Sequence, residues 1–92
     1  ISGKIVKVFA VVVEPTTDND ADATLNLEIN STNLTGGVIT LSDANMATLG
    51  TVVNGTAITA GNVLSATSKL SVETVVTNAF SNGQIMLYIV IQ

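Results

Sequence analysis

The last ten residues, GQIMLYIVIQ, constrain the fold of this chain more than any other stretch. Successive side chains of a β-strand point to opposite faces, so a strand here has two rows. The rows are Ile85, Leu87, Ile89 and Ile91 on one face and Met86, Tyr88 and Val90 on the other. Both rows are apolar, whereas a small domain needs only one such face for its core. The sequence leaves open which row is the core, and it predicts that a partner surface covers the other.

The stretch KIVKVFAVVV, from Lys4 to Val13, has the same character at the other end of the chain. It is rich in β-branched residues, shows no helical periodicity and is apolar on both faces except at Lys4 and Lys7. We therefore predict a long strand that shares the core and the interface with the C-terminal strand. The predicted self-association interface consists of Val8, Ala10, Val12, Met86, Tyr88 and Val90.

The segments between these ends predict shorter strands joined by turns. ATLNLEIN alternates apolar and polar residues, VITLS follows the Gly36-Gly37 return, and LSVETVV alternates again. Asn54-Gly55 is typical of a two-residue hairpin turn, and SDANMATL predicts a crossover with at most one helical turn. Six to eight short strands without a helical pattern indicate an all-β fold, an antiparallel β-sandwich of jelly-roll-like type.

Length and composition limit the classes of protein to which the chain belongs. Its 92 residues form a single domain, and Ile1 in place of Met indicates a processed chain or part of a longer one. Charged residues are only 11% of the chain, so the surface must consist largely of Thr, Asn, Ser and Gly. A net charge of −4 with three lysines and no arginine argues against binding nucleic acid. The apolar run from Val8 to Val13 is far shorter than a membrane-spanning helix, so we expect no membrane partner.

The residues that carry most enzyme chemistry are missing. The chain has no histidine and no cysteine, and its acids lack the aromatic neighbours of a sugar-cleaving site, so we expect no enzyme and no cofactor. The only candidates for cation ligands are Asp18, Asp20 and Asp22. Ala23 and Ile29 stand where a calcium-binding EF-hand loop needs Gly and Glu, so we expect a solvated acidic turn instead.

The order of these segments resembles a known family. The first strand, the acidic turn, ATLNLEIN, the TGGVIT return at Thr35 to Thr40, the GTAITAGN stretch at Gly55 to Asn62 and the closing strand are similar to a small β domain of tailed bacteriophages. That domain occurs in head decoration (cement) proteins and head fibres. The resemblance implies a non-enzymatic homotrimer bound to the capsid protein lattice, located on the capsid surface of a virion.

Two other functions stay open on the sequence alone. One is a carbohydrate-binding or adhesin-type sandwich of a bacterial surface protein, which usually exposes Trp or Tyr to stack on sugars. The other is a fimbrial subunit, in which a neighbouring copy donates or accepts the C-terminal strand. An incomplete sheet is the feature that would favour the fimbrial subunit.

Overall fold

A computed structural model describes residues 3–92, in which all regular structure is β-strand. The eight strands are β1 (Gly3–Glu14), β2 (Asp22–Ile29), β3 (Thr32–Asn33), β4 (Ile39–Ser42), β5 (Val52–Asn54), β6 (Val63–Leu64), β7 (Leu70–Asn78) and β8 (Gln84–Ile91). They form two antiparallel sheets packed against each other. The predicted antiparallel β-sandwich of six to eight strands is therefore confirmed.

Sheet I consists of β8, β1 and the short strands β5 and β6. Strand β1 is central: β8 pairs along most of its length on one side, and β5 and β6 pair with separate parts of it on the other. A register shift between Ile5 and Lys7 inserts a bulge. Because of this bulge, Ile5 and Val8 both point into the core although they lie three residues apart.

Sheet II has the same plan. Strand β2 is central, β7 pairs along its whole length on one side, and β3 and β4 pair with opposite ends of it on the other. Each sheet therefore has one long outer strand, β8 or β7, on one side and two short strands on the other.

Backbone hydrogen bonds join the two sheets on the side of the short strands. The Gly37 amide donates to the Thr56 carbonyl at 2.9 Å, and the Thr56 amide donates to the Val38 carbonyl at 3.1 Å. Farther along, the Thr35 amide donates to the Ala60 carbonyl at 2.9 Å. No strand pairing joins β7 to β8 within residues 3–92. The sandwich is thus closed along one side and open along the other.

The core lies between the sheets and is aliphatic. Its buried members are Ile5, Val8, Ala10, Val12, Leu27, Ile29, Leu34, Ile39, Leu41, Met46, Val53 and Leu64. Ile5, Ile39 and Val12 are the largest side chains that are fully enclosed. Half of these core residues lie in β1 and β2, on the faces that point toward the other sheet. Burial of these two inner faces therefore accounts for much of the stability.

Half of the predicted self-association interface is wrong, because three of its six residues lie in the core. Val8, Ala10 and Val12 are 2%, 0% and 1% exposed, so they line the core and are not available to a partner. The register explains the error. Opposite residues of an antiparallel pair share a face, and these three lie opposite Ile89, Leu87 and Ile85. The prediction had combined them with Met86, Tyr88 and Val90, which point the other way.

Two turns test the local predictions. SDANMATL forms no helix but does begin with one capped turn: the Asn45 amide donates to Ser42 Oγ at 3.2 Å, and the Ser42 amide donates to Asn45 Oδ1 at 2.8 Å. The two-residue hairpin at Asn54-Gly55 is wrong, because the chain continues past Gly55 to bond residues 35–38 of the other sheet. Gly55 is needed there for close approach: a Cβ atom would lie 2.7 Å from Val8 Cγ2.

Candidate functional site: two apolar surfaces

The outer face of sheet I is apolar and open to solvent. It is formed by the residues of β1, β5 and β8 that point away from the core: Phe9, Val11, Val13, Val52, Met86, Tyr88 and Val90. Their rows meet across the strands, with Val11 opposite both Met86 and Val52. The structure thus places Met86, Tyr88 and Val90, the other half of the predicted interface, together on one exposed surface.

An aromatic pair lies in the middle of this outer face. The rings of Phe9 and Tyr88 stack with their centroids 4.9 Å apart and their planes 7° from parallel. The Lys7 ammonium group lies 5.3 Å from the centroid of the Phe9 ring. Phe9 and Tyr88 therefore each use one ring face on the other, and Lys7 lies near the Phe9 ring, whereas Tyr88 stays 43% exposed.

The outer face of sheet II is polar by contrast. Ser71 Oγ donates to Glu28 Oε1 at 3.0 Å, and the side-chain amides of Asn26 and Asn33 donate to Glu73 Oε1 at 3.3 and 3.4 Å. A hydroxyl and amide network of this kind is well solvated and is typical of a free surface. The two outer faces therefore differ in chemistry, and only that of sheet I is suited to burial.

A second apolar surface is the seam, defined here as the open side of the sandwich between β7 and β8. Leu70, Val72 and Val76 of β7 lie opposite Ile29, Leu27 and Ala23 of β2, so they point toward the interior. They are nevertheless 39%, 42% and 50% exposed. On the β8 side, Ile85, Leu87, Ile89 and Ile91 point inward and are only partly buried. Within the described residues, nothing covers the gap between these two rows.

The space under the seam is too small and too apolar to hold a ligand. A cavity of about 10 Å³ is lined by Val8, Leu25, Leu27, Gly37, Ile39, Val72 and Leu87. That is the room of one water molecule, and a water there would lack the polar partners that buried waters need. The cavity under the seam is therefore not a small-molecule pocket.

The acidic turn between β1 and β2 is held to the β7–β8 loop. The Asp18 carboxylate accepts hydrogen bonds from the Ser81 hydroxyl at 2.6 Å and the Ser81 amide at 2.7 Å. These bonds stabilise the charged form and hold the pKa of Asp18 below its usual value. Beside them, Asn82 Oδ1 accepts from Thr16 Oγ1 at 2.9 Å and from the Thr17 amide at 3.0 Å. Asp18 lies at the surface, as a solvated turn requires, and its carboxylate also links the β1–β2 turn to the β7–β8 loop.

The three aspartates are not gathered into a metal site. Among residues 3–92, no group of three or more acids has positions suited to a cation. Asp18 is directed at Ser81, Asp20 is exposed, and Asp22 begins β2. The alternation of Asp18, Asp20 and Asp22 in sequence therefore does not become a common site in space.

Comparisons with known proteins add no family. The chain matches no protein-family model, no curated protein and no solved structure. In the described part of the chain, no helix is long and apolar enough to cross a membrane.

Sequence reasoning found the outer face of sheet I but missed the seam. The alternation of Leu70, Val72 and Val76 with other residues predicts a strand, but the pattern of a single strand does not reveal whether a second sheet covers its apolar row. One signal is present: no charged residue occurs after Glu73, in the second half of β7 or in β8. Outer strands usually carry charges that discourage pairing with other chains, and β8 has none.

Proposed function

We propose that this chain is a non-enzymatic structural domain of a virion, a head decoration (cement) or head-fibre module that self-associates and binds the capsid surface. The observation that carries the proposal is the difference between the two outer faces. Sheet II presents a hydrogen-bonded polar network, and sheet I presents aliphatic and aromatic side chains. A domain that works alone in solution has no use for such a one-sided surface.

Energetics favour a partner on the outer face of sheet I. Its seven side chains form a patch of several hundred Å², at the upper end of what stable monomers expose. At about 25 cal/mol per Å², its burial offers on the order of 10 kcal/mol before the costs of association. A chain of 92 residues has a total stability of similar size, so contact with a lattice would change its stability substantially.

The homotrimeric state rests on the resemblance to phage decoration and head-fibre domains. A symmetric capsid lattice presents the same binding surface many times, so weak contacts by single copies become strong when several copies are joined. The low share of charged residues, 11% of the chain, agrees with a contact made by shape and apolar burial. No catalytic step is part of this role.

The proposal is tested on virions purified from the source culture. Peptides of this chain should be present in the particles, and purified domain should rebind to particles from which it has been stripped. Met86→Lys should abolish rebinding, because it puts a charge in the centre of the outer face of sheet I. Thr40→Lys, on the outer face of sheet II, is the matched control and should rebind like the wild type. Absence of the chain from virions, or equal binding by both variants, would contradict the proposal.

A fimbrial-type subunit is a second candidate, and one observation favours it. Strands β7 and β8 each pair on one side only, so a sheet here is open to an additional strand. Donation of a strand by a neighbouring subunit is a known way to complete such a sheet. This candidate predicts open-ended polymers of increasing length in place of a defined particle of few copies, which native mass spectrometry distinguishes.

A further inference from the structure

The seam has two free strand edges of nearly equal length. Strand β7 has nine residues and pairs only with β2, and β8 has eight and pairs only with β1. On the free side of an antiparallel strand, about half of the residues direct their amide and carbonyl groups outward. Unpaired edges of this length, without Pro or charge along β8, readily pair with a strand of another chain.

We infer that β8 of one copy pairs antiparallel with β7 of the next, so that copies join edge to edge around a closed ring with their seams facing a shared interior. The inference rests on the proposed self-association and specifies where it occurs. It assigns the seam to contacts between copies and leaves the outer face of sheet I for the capsid surface.

The strands fit each other in one register that uses all of β8. Placing Leu70 opposite Ile91 of the next copy brings Val72 opposite Ile89 and Val76 opposite Ile85. Every inward residue then meets an inward residue, and the two apolar rows become continuous. A slip by one residue would set inward rows against outward rows, which disfavours it.

Pairing of unlike edges explains both halves of the seam. A two-fold contact between two β8 strands would leave the free edge of β7 unpaired and Leu70, Val72 and Val76 still exposed. When β8 of each copy pairs with β7 of the next, both free edges of every copy are used once. Such head-to-tail contacts form a closed ring when the rotation between neighbouring copies divides a full turn.

Each contact of the ring pairs two strands over their length. It brings nine residues of β7 against eight of β8 of the neighbouring copy. These are fewer than the roughly 20 to 30 residues a side of a standard interface of about 800 Å² per partner, so each contact is small and depends on backbone hydrogen bonds as well as apolar burial. Each copy makes two such contacts, and closure of the ring makes every copy hold two neighbours. Another copy of the chain is the occupant that supplies both complementary edges at once.

Val75 and Val76 provide a matched pair for the first test. They are adjacent in β7 and 51% and 50% exposed, but Val76 faces the seam and Val75 faces the outer side of sheet II. In a single copy both tolerate a lysine, since both are half in solvent. We expect Val76→Lys to be a folded monomer by circular dichroism and native mass, and Val75→Lys to retain the mass of the wild-type ring. Equal masses for the two variants, or a monomeric wild type at micromolar concentration, would overturn the inference.

Thiol cross-linking tests the pairing directly, because the chain has no cysteine of its own. In the expected register Val75 lies opposite Met86 of the next copy, and both point outward. Within one copy they point away from each other on separate sheets, which lie about 10 Å apart, so they cannot be joined. With a short thiol cross-linker, the variant carrying both Val75→Cys and Met86→Cys should give covalent multimers up to the size of the ring.

The single-cysteine variants provide the controls. Alone, Val75→Cys and Met86→Cys should remain uncross-linked, and an equal mixture of them should give covalent dimers. Dimers from Met86→Cys alone would show β8–β8 pairing and overturn the inference, as would failure of the double variant to cross-link. These outcomes are independent of virion binding. Cross-linked rings that do not bind particles would refute the proposed function, and bound monomers would refute the ring.

Discussion

Phe9 and Tyr88 stack across β1 and β8, from strands at opposite ends of the chain, with ring centroids 4.9 Å apart. The pair joins the first strand to the last on the solvent side of sheet I, while the aliphatic rows join them on the core side. The aromatic pair therefore has two roles. It stabilises the pairing of β1 with β8, and it forms the middle of the proposed contact surface.

The stacked pair should show measurable coupling. We expect the combined effect of Phe9→Leu and Tyr88→Leu on the free energy of unfolding to differ from the sum of the single effects by about 0.5–1.5 kcal/mol. Urea denaturation of the four proteins of this double-mutant cycle measures the coupling, at protein concentrations low enough to exclude self-association. Additive effects would show that the stacking contributes nothing beyond the area that each ring buries.

Val12 and Val13 test which face of β1 is the core. Val12 is 1% exposed and Val13 is 44% exposed, although they are neighbours. Lysine at position 12 would bury an unpaired charge, so we expect Val12→Lys to prevent folding. Val13→Lys should change the free energy of unfolding by less than about 1 kcal/mol, because its side chain extends into solvent. Circular dichroism and thermal melts separate the two outcomes, and a folded Val12→Lys would contradict the assignment of the core row.

Asp18 should make stability depend on pH in the acid range. Its pKa in the folded protein is lowered by the two bonds from Ser81, so the stabilisation is present above the pKa of the unfolded chain. It is lost as the pH falls through the lower pKa of the folded state. We expect Asp18→Asn to lower the melting temperature at pH 7, with the difference from wild type shrinking below about pH 4. Asp20→Asn, at an exposed position without a hydrogen bond from another residue, is the control and should have no such effect. A constant difference across this range would show that the charge of Asp18 is not involved.

Gly36 and Gly50 distinguish close packing from backbone strain. Both have positive φ, at +94° and +85°. A Cβ atom at Gly36 would overlap the Ala57 carbonyl oxygen, whereas at Gly50 it would meet nothing within 4 Å. We expect Gly50→Ala to cost about 1–2 kcal/mol from strain alone. Gly36→Ala should cost at least about 3 kcal/mol, since the joined side of the sandwich must also separate. Denaturant midpoints measure both, and equal costs would contradict the close approach.

The fold was predictable because β-branched residues, and in β2 the alternation of apolar with polar residues, predict its long strands. The strands from Lys4, Ala23 and Gln84 follow directly from such patterns, as does the lack of helix. What remained open was the orientation of strands with two apolar faces, since residue type gives Val8 and Val11 the same preference for burial. Only the pairing register, a property of two distant segments, decides which of them faces the other sheet.

The candidate site was predictable in part for the same reason. Met86, Tyr88 and Val90 were identified because a second apolar row in β8 needs an explanation wherever it points. The bond between Asp18 and Ser81 was not, because it spans 63 residues and nothing local marks either partner. Asn54-Gly55 misled because a turn preference worth a fraction of a kcal/mol is overridden when the flanking segments pair with different strands.

The pairing of β1 with β8 also determines when the protein is able to fold. During synthesis β1 emerges first, yet its longest partner is the last strand of the described chain, so sheet I remains incomplete until residue 91 has been made. Sheet II can begin earlier, since β2 and β4 are both available once residue 42 has left the ribosome, and it receives its long outer strand β7 at residue 78. For most of translation, the apolar strand β1 is therefore without its main partner, β8. Unpaired apolar strands make incomplete chains prone to aggregate, so the interval before β8 is made is the stage at which association between nascent chains is most favoured.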